Sequence, residues 1–297
     1  MVRGAGGRRG VVGGRRGRGR GGRGGEHLGM GQVVDGDGPP IPADARAWEI
    51  NPIWYERSQE RFTWNGVLRP HLDHVKRINI LPNARDRDKN IIGSCVYYSI
   101  ATALEAAYRI AGVEVEELAW EELCDMVDEC NPCRTTAALR VLKYRGIHKR
   151  VDYKKKNLNG KRFKVSQFYE FCNVDIICED VPCGLDQHNM KAAINNMLSR
   201  TVMLAHFPIS ANYYCLDEGT EHIYAYDEDD PVFEDENEEG LLGIPTHVVV
   251  VTGFGFEETI PYFEFLDCNG KKFGKKGFGR ILPSSIISLY AFDVIVD

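Results

Sequence analysis

The chain has 297 residues, 43% of them hydrophobic, and a formal net charge of −6. That length and composition allow one large domain or two lobes around a sizeable core. They supply no apolar run long enough to cross a bilayer, the longest being a few residues around HVVVV at 247–251. The charge is unevenly placed, because the first 25 residues hold eight Arg and twelve Gly with no acid, and removing this +8 leaves −14 for residues 26–297.

In chain order, residues 1–25 have the composition of a disordered tail, and 26–61, with VDGDGPPIPADA, that of a linker. The N-terminus lacks the apolar stretch of a signal peptide. Nine irregularly spaced cysteines demand no disulfide framework, which is the usage of a reducing compartment, cytoplasmic or nuclear. Order is expected to begin near Phe62 or Trp64. In GSCVYYSIATALEAAYRI (93–110) the apolar residues Ile100, Leu104, Ala107 and Ile110 recur at helical spacing. Ser94 is expected to cap this helix. Cys95 falls on its first turn, where free backbone N–H groups and the positive end of the helix dipole stabilise a thiolate. Further helices are expected in EELAWEELCDMVDEC and in TTAALRVLKYRG, the latter closed by Gly146.

Beyond residue 160 the texture changes. VSQFYEFCNVDIICED, TVMLAHFPI, HVVVVTGFGF, YFEFLDC and IISLYAFDVIVD are β-branched and aromatic, broken by Gly, Pro, Asn and Asp, and predict strands. A helix opened by Asp186 is expected between them at 186–199. Helices first and strands second give an α+β protein of two lobes, a helical one at about 90–185 and a β-rich one at about 186–297.

A nucleophilic cysteine needs a base within reach in space. His247, at the start of HVVVVTGFG, is the histidine best placed for that; the others, including His148 and His206, have ordinary contexts. Cys172, Cys178, Cys183 and Cys215 read as core thiols, and Cys268 as incidental. Cys130-Asn-Pro-Cys133 is a Cys-x-x-Cys pair with Cys124 six residues before it. A zinc site needs about four ligands, and no second pair has the usual spacing, so neither metal nor cofactor is expected.

Four of these segments together resemble the papain-like cysteine proteases. Gly-Ser-Cys95 with Ser99 is similar to that family's nucleophile helix, and THVVVVTGFG to its histidine strand. YFEFLDCNGKKFGKKGFGRI (262–281) resembles its Asn-containing segment, and LAWEELCDMVDECNPCRTTAALRVLKYRGI its second-helix region. The similarity covers roughly residues 62–285, and the 152 residues from Cys95 to His247 fit a family spacing of ~130–150. The resemblance implies a two-lobed papain-like domain over 62–297, with no recognisable helical propeptide before it and so no zymogen control. It also implies Cys95 as nucleophile, His247 as general base and acid, and a polar residue at 267–269 to orient the ring, Asp267 by ungapped comparison or Asn269 if the turn shifts. Peptide or protein substrates would follow, with no membrane partner.

The chain departs from the family in several places. Lys89 stands where the family keeps a Gln that donates to the oxyanion, and Pro132-Cys133 where it keeps Gly-Gly. Ile92 replaces the cysteine that normally crosslinks to Cys130, and Asn269 replaces the Trp that shields the His–Asn contact. Two readings therefore remain open. One is a thiol peptidase that uses Cys95, His247, Asp267 and Lys89. The other is a catalytically weakened papain-like scaffold that serves as a protein-binding module. Two features add to either. Residues 226–240 hold nine acids in fifteen positions and are expected to be a solvated loop, which could also hold the basic tail against the cleft. The tail resembles the Arg-Gly boxes of RNA-binding proteins without their interleaved aromatics, which makes RNA a candidate partner through residues 1–25.

Overall fold

The computed structural model describes residues 61–67, 79–87, 93–127, 134–172, 194–216, 219–230, 232 and 244–296. The Arg/Gly tail, Lys89, Ile92, Cys130, Pro132, Cys133, Cys178, Cys183, Asp186 and most of the acidic run lie outside these residues.

The elements run β1 (Phe62–Thr63), α1 (Ser94–Ile110), α2 (Trp120–Met126), α3 (Arg134–Tyr144), α4 (Arg150–Lys154), β2 (Val165–Cys172), β3 (Met203–Pro208), β4 (Ile223–Tyr224), β5 (Thr246–Glu257), β6 (Ile260–Leu266), β7 (Phe278–Ile281) and β8 (Ser288–Val294). The four expected strand segments with a complete described core each supply one strand, VSQFYEFC supplies β2, and of the expected 186–199 helix the described part is helical at 194–198. Gly146 ends α3 in the left-handed region at φ 69, as expected.

The α1 start differs from the expectation. Gly93, at φ 72, occupies the cap position, and Ser94 is already the first helical residue without a capping bond. Glycine reaches that backbone region without steric cost, which frees the Ser94 hydroxyl for another partner.

One sheet has the order β2-β8-β3-β5-β6-β7-β4, with β1 pairing β5 off this path. All pairs are antiparallel except β4 with β7. Side chains alternate across a strand, and β5 uses both faces. Val248 and Val250 belong to a core shared with α1, α2 and α3, whereas Val249 and Val251 belong to a second core with Phe207, Phe265 and Tyr213. β8 does the same, with Tyr290 and Phe292 on the helical side and Leu289 and Ala291 on the other. The near-continuous apolar run HVVVV thus reflects a strand buried on both faces. Phe62 opens β1, which lies across β5 at Gly253, where a Cβ would come 2.3 Å from the Phe62 carbonyl oxygen.

Among the described residues, no helix is long and apolar enough to cross a membrane. Cys95, Cys124, Cys215 and Cys268 are not in disulfides. Cys215 is exposed rather than in a core, since it ends the short 3₁₀ turn Ala211–Cys215 at the surface.

Candidate active site

α1 presents Cys95 on its first turn, and Ser99, one turn further on, fixes the helix against β5 by donating to the Val248 carbonyl at 2.7 Å. Ser99 thereby anchors the Cys95 helix to the residue after His247. His247 is the second residue of β5 and pairs in register with Phe207 of β3. Asp267 immediately follows β6. The β5–β6 register, with Val250 opposite Leu266, puts Asp267 diagonally across from His247, within reach of a side-chain contact. His247 Nε2–H donates to Asp267 Oδ2 at 3.0 Å, with both residues buried. Of the two orienting candidates, the structure brings Asp267 to the ring. Asn269 contributes its backbone N–H, which donates to Asp267 Oδ1 at 2.6 Å.

Cys95 is 7% exposed and in hydrogen-bond contact with His247 and the Val248 backbone. Burial pushes its thiol up, but the His247 contact, with help from the Arg87 cation and the Val248 N–H, outweighs this and leaves it below the ordinary value. Burial likewise opposes charge on His247. The Cys268 and Asp267 side chains facing Nε2 overcome it and hold the imidazole well above its usual range. Asp267 is desolvated too, yet His247, Tyr213 and the Asn269 N–H keep its carboxyl below the ordinary carboxylate value. The three groups together favour a thiolate, an imidazolium and a carboxylate.

Three contributors were not visible in the sequence. The Tyr213 hydroxyl donates to the same Asp267 Oδ2 that accepts from His247, and its ring packs edge-on to the imidazole with centroids 5.4 Å apart. Phe207 covers another side at 5.9 Å. The shield that Asn269 cannot provide is thus supplied from the Ala211–Cys215 turn and β3. Arg87 donates from Nη1 to Ser94 Oγ at 2.9 Å, while its backbone N–H binds the Cys268 carbonyl at 2.9 Å. This places a cation beside Cys95, and it is the partner that occupies Ser94 in place of capping. Cys268, which the sequence offered only as an incidental neighbour of Asp267, has its Sγ 3.8 Å from His247 Nε2. A bulky donor next to the orienting residue was the available signal for it; neither Tyr213 nor Arg87 lies in a periodic segment.

Two histidines read as ordinary have specific surroundings. His206 lies in β3, where burial holds its ring below the usual value. His148 is fully buried, with Nδ1 2.9 Å from Glu122 Oε1 and its backbone N–H donating to Glu122 Oε2 at 2.8 Å.

Residues 73–288 match the family described as papain family cysteine protease. The chain belongs to the papain family. Solved structures agree in fold. ProCathepsin B S9 from Trypanosoma congolense is similar with a TM-score of 0.58 at 12% identity, over 90% of this chain and 87% of that one. Bromelain from Ananas comosus, in complex with the E64 inhibitor, gives 0.52 at 12% identity over 80% and 99%. The Carica candamarcensis protease CMS1MS2, in complex with E-64, gives 0.53 at 15% over 79% and 98%. At these identities the likeness establishes the papain-like α+β fold. No curated protein matches the chain.

Proposed function

We propose that this papain-family chain is a cysteine-type peptidase acting through a Cys95 thiolate and His247 imidazolium, with Asp267 orienting the ring. The observation that carries the reading is the contact series Cys95, His247, Asp267, in which Nε2 is committed to the carboxylate and leaves Nδ1 to serve the thiol. The Cys95 sulfur attacks the peptide carbonyl carbon, and charge moves to the carbonyl oxygen. His247 gives its proton to the amine as the C–N bond breaks, leaving an acyl-enzyme thioester. Water then attacks the thioester while His247 takes its proton, and the Cys95 thiolate leaves. Lys89 is the oxyanion donor offered by the sequence, and Arg87 adds a cation that favours the thiolate. Asp267 differs from a neutral orienting amide in adding negative charge, which strengthens the imidazolium.

A second reading, a papain-like scaffold used for protein binding, is favoured by the low exposure of Cys95 and His247, 7% and 3%. One experiment separates the two: the rate of Cys95 alkylation by iodoacetamide against pH, in the parent and in His247→Ala, with labelling located by peptide mapping. The peptidase reading expects rapid labelling of the parent at mildly acidic pH. In His247→Ala the rate should rise only near the free-thiol value of about 8.5. Profiles that coincide near that value would refute the ion pair and leave the binding scaffold.

A further inference from the structure

The Cys268 thiol neither attacks nor transfers a proton in the mechanism above, yet it is buried against the ring nitrogen that binds Asp267. We propose that His247 Nε2, Asp267 and Cys268 Sγ form a binding site for a zinc-class divalent cation, and that an ion there silences the Cys95–His247 pair. The binding is independent of the peptidase reading; its inhibitory consequence rests on it.

The three ligating atoms lie within 4.8 Å of one another, and all three residues are buried. Zinc bonds of about 2.0–2.1 Å to nitrogen, 2.0–2.2 Å to oxygen and 2.3 Å to sulfur place tetrahedral ligands roughly 3.3–3.6 Å apart. The observed separations from Nε2 are 3.0 Å to Asp267 Oδ2 and 3.8 Å to Cys268 Sγ. Shifts of a few tenths of an ångström bring these two separations into that range, and the third, between Asp267 and Cys268, is within 4.8 Å. An imidazole, a carboxylate and a thiolate together suit zinc rather than calcium or magnesium, which prefer oxygen.

The surroundings are those that orient metal ligands. Asp267 is held by the Tyr213 hydroxyl and the Asn269 N–H, and His247 is flanked on its other side by Cys95. Three protein ligands leave a fourth position for water. Binding displaces the Nε2 proton and the Cys268 thiol proton to solvent. Coordination replaces the Nε2–H bond to Asp267 that holds the imidazolium beside Cys95, while the ion's own charge is matched by the Asp267 carboxylate and Cys268 thiolate that bind it.

Co²⁺ is the spectroscopic probe. It is titrated into the full chain carrying Cys130→Ser and Cys133→Ser, so that the Cys-x-x-Cys pair contributes no thiolate-to-metal absorption. The proposal expects a one-equivalent thiolate band, displaced by Zn²⁺, that persists on adding Cys95→Ser. On adding Cys268→Ser or Cys268→Ala, each checked for an unchanged thermal unfolding midpoint, Co²⁺ affinity should fall by at least about tenfold. No band in the background protein would overturn it. So would a band lost with Cys95→Ser and kept with both Cys268 variants, which would assign the ion to the nucleophile. Zn²⁺ is further expected to slow Cys95 alkylation at least about tenfold in the background and less than about twofold with Cys268→Ser. A Cys268-dependent band in a protein whose alkylation never depends on His247 would uphold the site and reject the peptidase.

Discussion

Tyr213 gives Asp267 a second donor and His247 an aromatic face, and substitution separates these contributions. Tyr213→Phe keeps the ring and removes a hydrogen bond to a charged group worth about 1.5–3 kcal/mol. Its alkylation profile should lose rate at the acid end, where the less stabilised carboxylate is protonated sooner, and keep the neutral plateau. Tyr213→Ala also opens the His–Asp contact to water and should lower the rate at every pH; equal effects of the two would reduce Tyr213 to packing alone. The same pair shapes stability. Asp267 is held below its ordinary value, so its contribution is present above about pH 3.9 and lost as pH falls through the lowered value. His247 is held above, so its contribution is full below about pH 6.5 and lost as pH rises through the raised value. The gap in urea midpoint between the parent and His247→Ala should therefore be widest between about pH 4 and 6.5 and narrow on either side. Cys95, His247 and the 267–269 loop were legible because each sits at an element boundary with a recognisable pattern. Tyr213 and Arg87 were not, because what brings them to the site is the tertiary path of segments without periodicity.

Between elements, the segment 79–87 reaches the site through charged anchors as well as backbone. Arg85 pairs through Nη2 with both oxygens of Glu105 on α1, at 3.0 and 2.9 Å, and Glu105 also accepts from the Leu118 N–H at 2.9 Å. Glu105 is 1% exposed, and Arg85 pairs in addition with Glu117 at 3.2 Å. Removing one partner of such a buried pair costs about 3–5 kcal/mol. Glu105→Ala should lose stability on that scale in urea unfolding. Because Arg87 lies two residues from Arg85, it should also slow Cys95 alkylation in the fraction that remains folded. The sequence located α1 by its apolar spacing but left Glu105 as one more polar residue of the helix. Its burial rests on Arg85, 20 positions earlier, as well as on Arg109 one turn on at 3.8 Å, and the local i,i+4 pattern reports only the second. The start of α1 was misread for a related reason: Ser94 has the chemistry of a cap, but Gly93 takes the position and Arg87 takes the hydroxyl.

At the scale of the molecule, the α+β class was legible from the order of helices and strands, and its papain-like form from the resemblance of four motifs. The sharing of β5 and β8 by both cores was not, because an unbroken apolar run does not say which residue faces which core. That sharing ties the halves together: neither core is complete without the strand that also walls the other. Calorimetry should accordingly show one transition for residues 62–296, with equal calorimetric and van't Hoff enthalpies, and two resolved transitions would show that the cores separate. The shared strand also orders events during synthesis. Cys95 leaves the ribosome long before β5, so the growing chain carries α1 with neither the valines that pack on it nor the histidine that contacts Cys95. Until residues 246–257 are made, the Cys95 thiol lacks the His247 contact that lowers it, so on the proposed peptidase reading a nascent chain is silent towards what surrounds it.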